Sequence, residues 1–134
     1  MTKLKVAGRV MRTIAIVGAS ANRAKFGNKS LRAYLQAGWK VYPIHPRESV
    51  IEGLAVYSTV RSVPESQLDR ISVYVPPEIG KALLGDLASK PVREVWFNPG
   101  SYNPDLLRAA ELLGLAVVPG CSILAVGINP QDLD

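Results

Sequence analysis

The sequence predicts a three-layer α/β domain, a doubly wound and mainly parallel sheet with helices on both faces. Three observations lead there. The run Thr13-Ile-Ala-Ile-Val17 is short and, apart from one Ala, β-branched, as a strand buried on both faces should be. Gly18 and Ser20 then turn the chain, and from Leu31 apolar residues recur at 31, 34, 35 and 37, which is helical spacing. Strand-like and helix-like stretches go on alternating, a pattern that calls for parallel strands joined by right-handed helical crossovers. A buried strand, a glycine turn and a helix form the opening unit of a Rossmann-like sheet. Backbone N–H groups at such a turn, with a helix dipole behind them, favour a phosphate group.

The elements follow in order. Residues 1–12 read as an N-terminal extension, and 13–134 as one domain with one core, a length that suffices for independent folding. The first helix runs from Gly27 or Asn28 to Ala37, with Gly38 closing it in the left-handed conformation. Lys40 to Ile44 form the second strand, which His45-Pro46 ends because Pro cannot continue a central strand. Residues 48–70 are irregular, with a short strand around Val56-Tyr57. Ile71 to Val75 form a buried strand that Pro76-Pro77 stop. A helix beginning near Glu78 places Ile79, Ala82, Leu83 and Leu87 on one face. Arg93 to Phe97 make the next strand, and Asn98-Pro99-Gly100 a turn. Asn103-Pro104-Asp105 supplies a cap, a Pro at the first helical position and an acid near the positive dipole end. That helix ends at Gly114, Leu115 to Val118 form the last strand, and the tail past Pro119 is weakly specified.

The net charge of +5 is unevenly placed: residues 1–50 hold ten Lys or Arg against Glu48 alone, and residues 51–134 hold six bases against ten acids. The bases are not in runs and aromatic residues do not interleave with them, so a nucleic-acid surface is not expected; a polyphosphate ligand near the first βαβ unit explains the same asymmetry. Most of these side chains still read as an ordinary solvated basic face. No apolar run approaches the ~20 residues of a membrane span, and the apolar stretch before Ala19-Ser-Ala21 is too short for a signal peptide. A single cysteine, Cys121, forms no internal disulfide and fits a reducing, cytoplasmic setting. No Cys/His/Asp cluster has metal spacing.

The turn after the first strand is not the G-x-G-x-x-G dinucleotide fingerprint, because eight residues separate Gly18 from Gly27. Within that longer turn, the backbone at Gly18 can approach a phosphate, Ser20 and Asn22 can donate to it or cap the turn, and Arg23 and Lys25 can neutralise it. The second strand ends in His45 and Arg47, with no acid before Glu48 to hold a ribose diol. Arg47 suits a ribose phosphate, and His45 either bonds the nucleoside or simply ends the strand. With no partner carboxylate or nucleophile arranged beside it, His45 is not expected to act as a general base. Cys121 reads as packing, since nothing in the sequence supplies the positive neighbour that a reactive thiol needs.

Taken in order, Ile14-Ala-Ile-Val-Gly-Ala-Ser-Ala-Asn22, Lys25-Phe-Gly27, Val41-Tyr-Pro-Ile-His-Pro46, Val56-Tyr57, Val73-Tyr-Val-Pro-Pro77 and Trp96-Phe-Asn-Pro-Gly100 resemble the stand-alone CoA-binding proteins, which are similar to the N-terminal CoA-binding domain of the succinyl-CoA synthetase α subunit. The resemblance covers about residues 13–125. It implies that Gly18, Ala19, Ser20, Asn22 and Arg23 form the phosphate turn and that Ile44-His45-Pro46 faces the adenosine end. It further implies that the nucleotide and pantetheine arm run past Val75, Pro76 and Pro77, with Asn98, Pro99 and Gly100 near the arm. Where the family often has Asn, this chain has His45, and where an Arg commonly precedes the C-terminal Cys, it has Gly120. The synthetase's phosphorylated His, in a second domain, and its ATP-binding module have no counterpart here.

The expectation is therefore non-catalytic binding of coenzyme A or acyl-CoA in the cytoplasm, with a small-molecule nucleotide ligand, no nucleic acid or membrane, and room for an unidentified protein partner. The alternatives are an NAD(P)-binding protein or oxidoreductase, with Arg47 reading a 2′-phosphate, and a protein or nucleic-acid interaction module using the basic first half.

Overall fold

The computed structural model describes residues 5–6 and 9–134. Two strand pairs lie outside the main sheet: β1 (Lys5–Val6) pairs antiparallel with β2 (Arg9–Val10), and β5 (Val50–Ile51) with β6 (Leu54–Ala55). The main sheet has five parallel strands. These are β3 (Thr13–Val17), β4 (Lys40–Ile44), β7 (Leu68–Val73), β8 (Val92–Phe97) and β9 (Val117–Pro119), in the order β4-β3-β7-β8-β9.

Alternation along β3 sorts the core into two layers, because successive side chains leave a strand on opposite faces. Ala15 and Val17 join Ile71, Val73, Val95 and Phe97 on one face. There they pack against Leu84 and Leu87 of α3 (Leu84–Leu87) and Leu106 and Ala110 of α4 (Pro104–Leu112). Ile14, Ile16 and Val41 point the other way, onto Leu31 and Tyr34 of α1 (Phe26–Gln36), with Trp39 edge-on to Tyr34 at 5.0 Å. The chain winds from β3 through α1 to β4 on one side, then returns to β7 on the other. The sheet is thus doubly wound, with its reversal point between β3 and β7.

Several elements differ from the sequence reading. Val56-Tyr57 is not a strand; Tyr57 makes one parallel bridge to Ile44, and the strands of that region are the hairpin β5–β6. The third parallel strand starts at Leu68, not Ile71, because Asp69 is drawn into the sheet: its carboxylate accepts from the Thr13 amide (2.9 Å) and hydroxyl. The helix expected from Glu78 begins at Pro77 and is divided at Leu83 into α2 (Pro77–Ala82) and α3. The last strand begins at Val117, two residues late, since Gly114 and Leu115 still close the end of α4 onto Glu111 and Ala110. The tail is firmly tied. Lys29 on α1 meets the Asp134 carboxylate at 2.6 Å, and Arg32 donates to the Leu133 carbonyl at 2.6 Å.

Candidate functional site

All five parallel strands deliver residues to one cleft of about 750 Å³. It lies beyond their C-terminal ends at the reversal point, where ligands bind in open α/β sheets. Gly18, Ala19 and Ser20 follow β3, His45 and Pro46 follow β4, and Tyr74, Val75 and Pro76 follow β7. Asn98 to Ser101 follow β8, and Cys121 follows β9. Ala24, Lys25, Phe26 and Gly27 add the start of α1.

The start of α1 is where this cleft can attract an anion. Lys25 is its N-cap but makes no side-chain cap bond, and no acidic residue occupies the first turn. Unsatisfied N–H groups and the positive dipole end are therefore left at the cleft wall. Among the described residues, no acidic side chain lines the cleft, and Lys25 lines it. Two glycines allow the turn to fit. Gly18 has φ +87, and a Cβ there would stand 3.2 Å from the Tyr74 backbone and from Val75. On Gly27 a Cβ would stand 2.1 Å from the Gly18 carbonyl oxygen, so the helix can approach the turn only without a side chain.

The loop between β3 and α1 is held from within and from behind. Ser20 Oγ accepts from the Asn22 amide and Asn22 Oδ1 from the Ala24 amide, both at 3.0 Å. Asn28, fully buried, donates to the Ser20 carbonyl at 2.8 Å. Arg23 turns away from the cleft to the Glu52 carboxylate at 2.5 Å.

The cleft floor rests on a buried polar network. Asn98 donates to Ser72 Oγ (2.8 Å) and the Val73 carbonyl (2.9 Å) and accepts from the Ser122 amide (2.8 Å). Ser122 Oγ lies 2.6 Å from Ser72 Oγ and 3.1 Å from the Tyr74 hydroxyl, and its carbonyl accepts from Tyr34 at 2.7 Å. Burial pushes the Tyr74 and Tyr34 phenols up, so both stay neutral.

Of the residues singled out from the sequence, Gly18, Ala19, Ser20, Lys25, His45, Pro76, Asn98 and Gly100 line the cleft. Asn22, Arg23, Arg47 and Pro77 do not: Asn22 braces the loop, Arg23 is paired to Glu52, Arg47 lies on an exposed turn, and Pro77 starts α2. His45 Nδ1 accepts from the Arg47 and Glu48 amides, each at 3.0 Å, which leaves Nε2 as its free ring nitrogen. Phe26, Gly27 and Tyr74 line the cleft and were visible in the sequence only as parts of motifs; Ser101 carried no signal.

Fold and cleft together define a Rossmann-like nucleotide-binding α/β domain. Residues 12–127 match the model of a CoA binding domain, and the chain belongs to that family. It is 34% identical over 124 residues to the α subunit of an ADP-forming acetate–CoA ligase from Pyrococcus furiosus, an alignment covering 82% of this chain and 26% of that subunit. A conserved hypothetical protein from the same organism superposes with a TM-score of 0.77 at 34% identity, over 86% of this chain and 99% of that one. The dinucleotide-forming acetyl-coenzyme A synthetase 1 of Ca. Korarchaeum cryptofilum superposes with a TM-score of 0.71 at 30% identity, over 81% of this chain and 25% of that one. The chain thus spans about a quarter of the length of these two enzyme relatives. Among the described residues, no helix is long and apolar enough to cross a membrane, and no group of His, Cys, Asp and Glu is arranged to hold a metal ion.

Proposed function

We propose that this chain binds coenzyme A or an acyl-CoA in the cleft, without chemistry of its own, and holds or presents it in the cytoplasm to a partner protein. The observation that carries the reading is the bare N-terminus of α1, opening at the sheet's reversal point into a cleft with no acidic lining, in a chain of the CoA binding domain family. Gly18, Ala19, Ser20, Lys25 and Gly27 would hold the diphosphate, and His45 and Pro46 would face the nucleoside. Val75, Pro76, Pro99 and Gly100 offer an apolar path for the pantetheine arm, and the cleft volume is within the usual ~300–1,000 Å³ of small-molecule sites. The His45 ring supports no acid–base pair: its Nδ1 accepts from two backbone amides, and neither a nucleophile nor a carboxylate bonds to it.

Native mass spectrometry of the protein mixed with equimolar CoA, acetyl-CoA, NAD and NADPH tests the reading. One CoA or acetyl-CoA per chain is expected, and adducts of NAD or NADPH alone would replace it with a dinucleotide reading.

A further inference from the structure

We propose that Glu52 is a positioning residue for the phosphate loop: from the tip of the β5–β6 hairpin its carboxylate clamps residues 20–25 in the shape that receives an anion. The inference rests on the binding reading above and assigns a role to a residue that does not line the cleft.

The geometry is specific. Glu52 Oε1 meets Arg23 Nη1 at 2.5 Å, and Oε2 accepts from Asn28 Nδ2 at 3.1 Å. That same Asn28 nitrogen donates to the Ser20 carbonyl, and Asn28 Oδ1 accepts from Arg32 Nε at 2.7 Å. Arg32 Nη2 in turn donates to the Arg23 carbonyl at 2.8 Å. The carboxylate therefore grips both ends of the loop, Ser20 through Asn28 and Arg23 directly. Arg23, Asn28 and Arg32 are the groups that face it, and none of them is acidic.

A second observation concerns the backbone. Glu52 (φ +49), the only non-glycine with positive φ among the described residues, and Gly53 (φ +76) form the two-residue hairpin turn between Ile51 and Leu54. Turns with both central φ positive favour Asn-Gly. A long acidic side chain is a poor occupant of the first position, so folding of the hairpin does not account for Glu52, whereas its reach to Arg23 and Asn28 does.

The clamp makes an unusual pair of expectations. Glu52→Asn installs the preferred turn residue but is too short to reach the loop. The variant should melt at the same or a higher temperature, exchange its amides at residues 20–25 faster, and bind CoA about tenfold more weakly, the scale of one lost charge-assisted contact. Simple charge removal predicts the opposite sign, because deleting a carboxylate near a polyanion should tighten binding. Glu52→Gln, which keeps the length and one acceptor, should bind CoA with an affinity between those of the variant and the parent, and it reads binding and amide exchange if Glu52→Asn does not fold. Unchanged or tighter CoA binding in both variants would overturn the clamp. If the parent protein itself fails to bind CoA, the binding reading is lost, and amide exchange still decides the clamp: faster exchange at residues 20–25 upholds it, and unchanged exchange removes it.

Discussion

The Gly18 carbonyl oxygen occupies the place where a side chain on Gly27 would begin, 2.1 Å from the position of a Cβ. The loop after β3 and the first turn of α1 are thereby locked face to face. Gly27→Ala has no room and must push the helix off the turn. We expect a stability loss of about 1–3 kcal/mol, typical of overpacking, and loss of CoA binding, measured by urea denaturation and by titration. A variant with parental stability and affinity would show that the two segments do not touch in this way.

Gly18 is constrained differently, by φ +87 and by the nearness of Tyr74 and Val75. Gly18→Val is therefore expected to weaken both folding and binding. Equal thermal stability of the variant and the parent would contradict this.

Among the described residues, Lys25 is the Lys or Arg that lines the cleft, since Arg23 is turned onto Glu52. Lys25→Ala should lower CoA affinity by roughly ten- to a hundredfold, the worth of a charge-assisted hydrogen bond, while leaving the melting temperature within a degree or two. Arg47 lies outside the cleft lining, so Arg47→Ala tests the 3′-phosphate separately: a larger loss for CoA than for dephospho-CoA would assign that phosphate to it, and equal losses would not.

Asn98 lines the cleft, yet its amide group is engaged inside the protein with Ser72, Val73 and Ser122. Asn98→Ala strands the Ser122 amide and should destabilise the fold by about 1–3 kcal/mol. Affinity should fall with it, because the floor formed by residues 98–101 and 121 loosens. Lost affinity at full stability would instead mark Asn98 as a direct ligand contact.

Glu94 gives the fold an acid limb. Burial pushes its carboxyl up, but bonds from Trp96 and Arg70 outweigh burial and hold it below the ordinary value of 4.5. A carboxyl lowered in the folded state contributes stability above its unfolded value and loses it as pH falls through the folded one. Glu94→Gln should thus be less stable than the parent at pH 7, and the two melting temperatures should converge below pH 4.5. Parallel curves across that range would contradict the assignment.

What the sequence made legible follows from where local and long-range forces agree. The run Thr13-Ile-Ala-Ile-Val17, the cap Asn103 with Pro104 after it, and the break at His45-Pro46 are local signals, and the structure places β3, α4 and the end of β4 there; Asn103 Oδ1 accepts from the Leu106 amide at 2.9 Å. Leu68 to Arg70 were missed because their strand character comes from a bond between Asp69 and Thr13, 56 residues away. The tail was unreadable for the same reason, its order coming from Lys29 and Arg32 on α1. In the cleft, backbone turns were visible through Gly, Pro and Ser. The direction taken by each long side chain was not: nothing local told that Lys25 would stay and Arg23 would leave, since the Glu52 that draws Arg23 away belongs to a hairpin the sequence did not reveal.

Whether the cleft at the start of α1 holds coenzyme A is decided by isothermal titration of the purified protein with CoA, repeated with NADPH. Saturable binding of one CoA per chain and no heat with NADPH are expected. Saturable binding of NADPH, with CoA inert at high micromolar protein, would contradict the binding reading.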